Sequence, residues 1–342
     1  MGITKQQFGT TDGQDVSLFT LKNEHGIEIA VTNYGGAVVS LNAPDREGRF
    51  ADVVLGYETL EEYVRNPRYF GGLIGRHANR IGAGKFSLNG TQFQLTQNNG
   101  ANHLHGGAKG FDKRVWDVID QESDGAAILR LEYFSPDGEE GYPGNVKANV
   151  TYKLSADNEL EINYEATTDR ETIVNLTNHS YFNLAGSGDI LGHELTLHAD
   201  AFTPVSKELI PTGEIKSVEN TPMDFRRSKA IGADLVSAGG YDHNFVLGDY
   251  DGSLRRAARL FEPESGRVLE ILTSQPGIQF YSGNFLDGSL TGKRGAVYHK
   301  YTGLCLEPQH FPDAPNHANF PSTVLRPGET YRHVSKYRFS CD

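Results

Sequence analysis

Val146-Lys147-Ala148-Asn149-Val150-Thr151-Tyr152-Lys153-Leu154 alternates apolar and polar side chains without a break. Successive side chains on a β-strand point to opposite faces, so this run predicts a strand with one buried and one solvated face. Leu160-Glu161-Ile162-Asn163-Tyr164-Glu165-Ala166 repeats the pattern one turn later. Neighbouring segments of period 2 specify sheet rather than helix.

The rhythm continues on both sides. Upstream, Ile27 to Val31 and Ala37 to Leu41 read as strands around a Gly35-Gly36 hairpin turn, followed by a short strand Val53-Val54-Leu55. Phe86-Ser87-Leu88 and Phe93-Gln94-Leu95 flank Asn89-Gly90, a pair suited to a type I′ turn. Downstream, Tyr241 to Leu247, Arg267 to Thr273, Gly277 to Tyr281, Gly303 to Gln309 and Tyr331 to Phe339 all read as extended. Strand signals recur every ~8–12 residues, the spacing of an all-β fold. Thr59-Leu60-Glu61-Glu62-Tyr63 carries a capping box and predicts one of a few short helices. With no Ser- or Pro-rich linker and no internal repeat, residues 1–342 read as one large antiparallel β-sandwich domain.

Composition agrees with this class and excludes others. The 342 residues are 37% hydrophobic and 22% charged, with 39 glycines and a net charge of −12. That charge, with no Lys/Arg-rich run, argues against nucleic acid or an anionic membrane as partner. The N-terminal Met1-Gly2-Ile3-Thr4-Lys5 lacks an apolar signal segment, and no stretch approaches the ~20 apolar residues of a membrane span. Cys305 and Cys341 make no disulfide framework. A cytoplasmic protein is the expectation.

Chemistry concentrates in Val174-Asn175-Leu176-Thr177-Asn178-His179-Ser180-Tyr181-Phe182-Asn183. The segment begins as a strand, then crowds an imidazole, hydroxyls, amides and two aromatic rings into a few positions. A lone histidine is usually a satisfied polar residue. His179 has Asn178, Ser180, Tyr181 and Asn183 beside it, groups that can hold its ring and bond sugar-like hydroxyls. Glu307 stands between Leu304-Cys305-Leu306 and Pro308, which reads as a carboxylate at the mouth of a β-pocket with its strand ended by the proline. Cys305 shares its face and reads as a small buried residue rather than a nucleophile.

Other candidates are weaker. His103 and His105 would share a strand face and could ligate a metal, but no third ligand is fixed by the spacing. Gly71 to Gly82 is glycine-rich and basic; its plain reading is a turn with solvated arginines, and it does not fit a phosphate loop. Asp242 and His243 follow Gly239-Gly240-Tyr241 as a polar loop able to bond a hydroxyl. Trp116 reads as core. No nucleophile elbow or dinucleotide fingerprint is present.

Taken together, several motifs resemble the galactose mutarotase (aldose 1-epimerase) family. They are Asn33-Tyr34-Gly35-Gly36, Gly75-Arg76-His77-Ala78-Asn79-Arg80-Ile81, Asn102-His103-Leu104-His105-Gly106-Gly107, Asn178-His179-Ser180-Tyr181-Phe182-Asn183-Leu184, Pro222-Met223-Asp224-Phe225-Arg226, Tyr241-Asp242-His243-Asn244 and Leu306-Glu307-Pro308-Gln309. The resemblance spans almost the whole chain and implies an antiparallel super-sandwich. It implies His179 as general acid and Glu307 as general base, with Asn79, Arg80, His105, Tyr181, Asp242 and Gln279 contacting the sugar. It implies no metal and no organic cofactor, and it attaches no role to His77.

The activity so implied is interconversion of the anomers of a free aldose, in a monomer or homodimer. The base takes the C1 hydroxyl proton while the acid protonates the ring oxygen, the C1–C2 bond rotates, and the ring recloses. A charged His179 would be favoured by a neighbouring carboxylate that raises its pKa. Rival readings are a non-catalytic sugar-binding module and a glycoside hydrolase using Glu307 and Asp242.

Overall fold

The computed structural model describes residues 1–65, 68–123 and 125–342. The alternating segments become long antiparallel strands. Val146–Ser155 pairs with Glu159–Thr168, and the inward residues Val150, Tyr152, Ile162 and Tyr164 are almost wholly buried. These two strands sit inside a nine-stranded sheet. On one side of them lie Ala126–Ser135 and Asp117–Glu122; on the other, Tyr331–Cys341, Arg267–Thr273, Arg255–Phe261, Glu194–Leu197 and Lys229–Ala230.

A five-stranded sheet is built in chain order from Gly2–Thr11 to Phe50–Asp52. A six-stranded sheet runs in the order Tyr181–Phe182, Leu304–Gln309, Gly277–Tyr281, Asp242–Val246, Ala201–Thr203 and Lys216–Ser217. The apolar faces of all three sheets merge in one hydrophobic cluster, with Phe19 and Ile29, Leu131 and Tyr164, and Phe280 and Leu306 among its members. The fold is thus an all-β sandwich whose described residues contain two short α-helices, Leu60–Arg65 and Leu235–Ala238.

Local signals account for several turns. Thr59 Oγ1 accepts the Glu62 N–H while Glu62 Oε2 accepts the Thr59 N–H, closing the capping box. Asn89 and Gly90 both adopt positive φ between paired strands, as the type I′ turn requires. Gly35 also has positive φ, and a Cβ there would lie 2.1 Å from the Asp112 carbonyl oxygen.

Three expectations need correction, and one hairpin was not expected. The short strand lies at Phe50–Asp52 rather than at Val53 to Leu55, and Val54 makes only an isolated bridge to Phe182. Pro308 does not end its strand; Leu304–Gln309 runs through it, with Pro308 opposite Ile278. The ladder to Tyr181–Phe182 covers only Leu304 and Cys305, so along the rest of that edge a missing N–H forfeits no bond. Arg76 is not solvated: it is 1% exposed and donates to the carbonyls of Ser135, Pro136, Pro143 and Gly144 and to Ser135 Oγ. Gly2–Thr11 and Gln14–Lys22 form a hairpin that the polar N-terminus did not announce, because the edge strand is largely exposed and does not alternate.

Candidate active site

The six-stranded sheet has one apolar and one polar face. Leu304, Leu306, Ile278, Phe280 and Phe245 point into the core. Alternation then sends Cys305, Glu307, Gln279, Tyr281, Asp242 and Asn244 to the other side. Register aligns them in rows. Tyr181, Cys305, Tyr281 and Asp242 form one; Glu307, Gln279 and Asn244 form the next. Glu307, Tyr281 and Asp242 from this polar face, with Tyr181, help to line a cavity of about 520 Å³. All eight residues singled out by the resemblance line that cavity except Gln279, which touches it through Asp242.

His179 arrives from a crossing segment. Thr172–Ile173, Thr177–Asn178 and Tyr181–Phe182 are two-residue strands, each pairing with a different partner. Asn178 Nδ2 bonds the Gly71 carbonyl, and its Oδ1 accepts from the Ser180 N–H and hydroxyl. Asn183 Nδ2 is taken up by the carbonyls of Ser187, Gly188 and Thr302. These amides and the serine therefore shape the loop and are not free for a ligand, contrary to the expectation. Of that group only Tyr181 joins His179 in the cavity wall. The imidazole is stacked between Tyr69 and Tyr181, at ring-centroid distances of 5.7 and 5.1 Å, and meets His105 edge-on.

His179 Nε2 lies 3.7 Å from Glu307 Oε2, and both side chains are almost completely buried. Burial pushes the Glu307 carboxyl well above its usual range; the charge of Asp242 adds to this and Arg80 opposes it. Burial pushes His179 down to about 4, outweighing a smaller backbone contribution that raises it. The expected rise in the imidazole pKa is therefore reversed. Desolvation of the ring is the largest cause and sets the direction.

Asp242 accepts from Gln279 Nε2 at 2.7 Å and stands 3.8 Å from an Arg80 nitrogen. Arg80 Nε donates to Asn99 Oδ1. Asp242 is thus tied into a network beside Glu307 rather than free to act as a second hydrolytic carboxylate. Gln279 Oε1 and Glu307 Oε2 are buried without a hydrogen-bond partner, as suits groups that await a ligand's hydroxyls.

His105 and His103 part company. Only His103 and Leu104 are strand, and His105 takes a positive φ of 51°, so the two rings do not share a face. His103 is held by the Thr96 carbonyl and the Tyr142 hydroxyl. His105 Nδ1 accepts the Asn79 N–H at 3.2 Å, which leaves the proton on Nε2 as a donor into the cavity. Burial, then the neighbouring His179, Arg80 and Lys113, keep His105 neutral. Asn79, also at positive φ, spends Oδ1 on the Arg80 N–H. One ligand-type atom from each of His105, His179 and Glu307 falls within 4.8 Å of the others, close enough to chelate a cation. Such an ion would occupy the same lone pairs that acid–base work requires.

Sequence reasoning missed Tyr69, Tyr281 and Phe285 in the cavity wall. Tyr69 adopts a positive φ of 64° and lies under the Lys113 ammonium. Its one signal was position: an aromatic pair, Tyr69-Phe70, directly before Gly71-Gly72. Asp242's neighbour His243 points to the opposite face, against Phe202. Trp116 is core, with Nε1 bonded to the Phe111 carbonyl.

Residues 17–338 match the family model described as aldose 1-epimerase. The chain is similar to the galactose mutarotase of Bos taurus, at 47% identity over 99% of each chain. It is similar to the aldose 1-epimerase of Escherichia coli (strain K12), at 38% identity over 96% of each. Among solved structures it resembles a GalM/aldose epimerase homologue from C. elegans, with a TM-score of 0.89, 34% identity and coverage of 95% of this chain and 99% of that one. It also resembles galactose 1-epimerase from Lactobacillus acidophilus NCFM, with a TM-score of 0.87, 29% identity and coverage of 99% of both chains.

Proposed function

The chain belongs to the aldose 1-epimerase family and is an isomerase of that activity, and from this premise we propose that Glu307 and His179 interconvert the α and β anomers of free aldohexoses such as galactose and glucose. Glu307 takes the C1 hydroxyl proton and His179 Nε2 delivers a proton to the ring oxygen. The ring opens, the C1–C2 bond rotates, and closure with the roles exchanged gives the other anomer. One observation carries this reading: two buried, titratable groups face each other across 3.7 Å at the cavity floor, far apart in sequence.

Proton counting supports it. Opening converts a carboxylate and an imidazolium into a carboxylic acid and a neutral imidazole, so the pair holds one proton throughout. Burial favours the uncharged arrangement, which is the state that ring opening produces. Arg80 draws the Glu307 pKa down, and with the sugar hydroxyls it supports the charged arrangement while the cyclic sugar is bound. His105 Nε2–H, Arg80 and Asn79 are the donors for sugar oxygens; Asp242 and Gln279 Oε1 are the acceptors; Tyr181 offers a ring face. No cofactor enters these steps.

No described helix is long and apolar enough to cross a membrane. The reading adopted is a cytoplasmic monomer or homodimer in which residues 1–342 act as one unit, supported by two unpaired cysteines and a hydrophobic cluster shared by the three sheets.

Polarimetry on freshly dissolved α-D-galactose and α-D-glucose tests the proposal. Glu307→Gln should retain sugar binding and lose on the order of 10²–10⁴-fold in turnover. A variant that keeps the wild-type rate removes Glu307 as the base.

A further inference from the structure

The acid–base reading leaves one contact of His179 unused. Cys305 is 0% exposed, is not part of the cavity wall, and places its Sγ 3.5 Å from His179 Nδ1. Strand alternation puts Cys305 and Glu307 on one face of Leu304–Gln309, two residues apart. A single strand therefore carries both the base and the group behind the acid. Cys305 is fixed in turn, because it pairs with Tyr181 on one side and Tyr281 on the other.

The acid role itself places the hydrogen on Nδ1. An imidazolium that gives up its Nε2 proton and becomes neutral keeps its remaining hydrogen on Nδ1. The thiol sulfur, 3.5 Å away, is placed to receive that N–H as a weak acceptor. Nε2, facing Glu307, is left as the only ring nitrogen whose proton comes and goes.

Resting on the reading of His179 as the acid, we infer that Cys305 is a positioning residue for it. The sulfur pins Nδ1–H through the whole cycle, so that the proton given to the ring oxygen always leaves from Nε2 and returns there. A neutral sulfur also differs from a carboxylate in the same place. A carboxylate would hold the imidazolium and make it a poorer acid, whereas a thiol orients the ring without adding charge. Burial keeps Cys305 in the thiol form. The groups packed around the ring complete this picture: Tyr69 and Tyr181 on its faces, His105 at its edge and Glu307 at Nε2, with Asp242 and Arg80 behind Glu307.

The test compares Cys305→Ala, Cys305→Ser and His179→Asn by polarimetry across pH. Cys305→Ala should lower kcat about tenfold, the scale of one hydrogen bond, with KM little changed and the acid limb of the profile displaced. Cys305→Ser, whose oxygen accepts the same N–H, should recover most of the loss. Wild-type kcat and an unmoved acid limb in Cys305→Ala would overturn the inference. Nitrogen NMR of ¹⁵N-histidine-labelled wild-type enzyme gives an answer independent of how the variants fold. Neutral His179 should show a protonated Nδ1 and a bare Nε2, and the opposite tautomer would refute the role of the sulfur. His179→Asn separates the two ideas, because wild-type turnover there sinks the acid reading itself, while loss of turnover there with a silent Cys305→Ala sinks only the positioning role.

Discussion

His179 Nε2 and Glu307 Oε2 stand 3.7 Å apart with their pKa values displaced in opposite directions, the imidazole to about 4 and the carboxyl well upward. Over the pH range between those values the pair holds one proton, the number that mutarotation conserves. Below about pH 4 a second proton arrives and no base remains. Above the raised Glu307 pKa the last proton leaves and no acid remains. The expected profile of kcat/KM is a plateau with its acid limb near pH 4, well below the ordinary histidine value of 6.5. Polarimetric rates across the acid range check this, and an acid limb near 6.5 would mean that His179 titrates as a solvated group.

Asp242 sits one step behind that pair, and its charge is one of the causes that raise Glu307. Asp242→Asn removes the charge while keeping an oxygen for Gln279 Nε2. Glu307 should then titrate lower, so the basic limb should move to lower pH. Sugar affinity should weaken about tenfold or more, as expected for losing a charged acceptor. A basic limb that stays in place would show that Asp242 does not act on Glu307.

These relationships were legible in the sequence to unequal degrees. Alternation in Val146 to Leu154 and Leu160 to Ala166 was enough for the strands, because one face of each is buried and the other wet. Glu307, Asp242 and Gln279 were legible as candidates, but only register shows that Gln279 faces Glu307 across a ladder. Arg76 and Arg80 look alike in sequence, yet one is sealed under the Ser135 to Gly144 loop and the other opens into the cavity. Asn178 and Ser180 carry the right chemistry for a sugar but spend it on each other, which only side-chain geometry reveals. Tyr69 offered only its position before Gly71-Gly72, because its role depends on a positive φ that no residue type announces.

Arg76 makes a prediction about stability rather than catalysis. Its guanidinium is buried without a carboxylate partner and is satisfied by backbone carbonyls and one hydroxyl. Arg76→Met removes the charge but leaves those acceptors buried and unmet. Each buried acceptor left unsatisfied costs about 1–3 kcal/mol, so the loss should be about 3 kcal/mol or more. Arg76→Lys should rescue little, since an ammonium cannot reach acceptors spread across a planar fork. Urea unfolding of both variants, read at constant m, tests this; a loss below about 1 kcal/mol would show that water satisfies the loop.

Acid should destabilise the fold through its buried histidines. Burial holds His77 down to about 3 and His193 and His333 to about 4. In the unfolded chain each titrates near 6.5, so between roughly pH 6.5 and 4 the unfolded state binds more protons than the native state. Stability therefore falls as pH drops through that window, by on the order of 1 kcal/mol per pH unit for each histidine. The opposite sign would require folded pKa values above 6.5, which burial forbids here. His77→Leu removes one titrating group from a site with no solvent exposure. The variant should lose part of the slope of unfolding free energy against pH, whatever its stability at neutral pH. A slope equal to that of the wild type would mean that acid attacks the fold elsewhere.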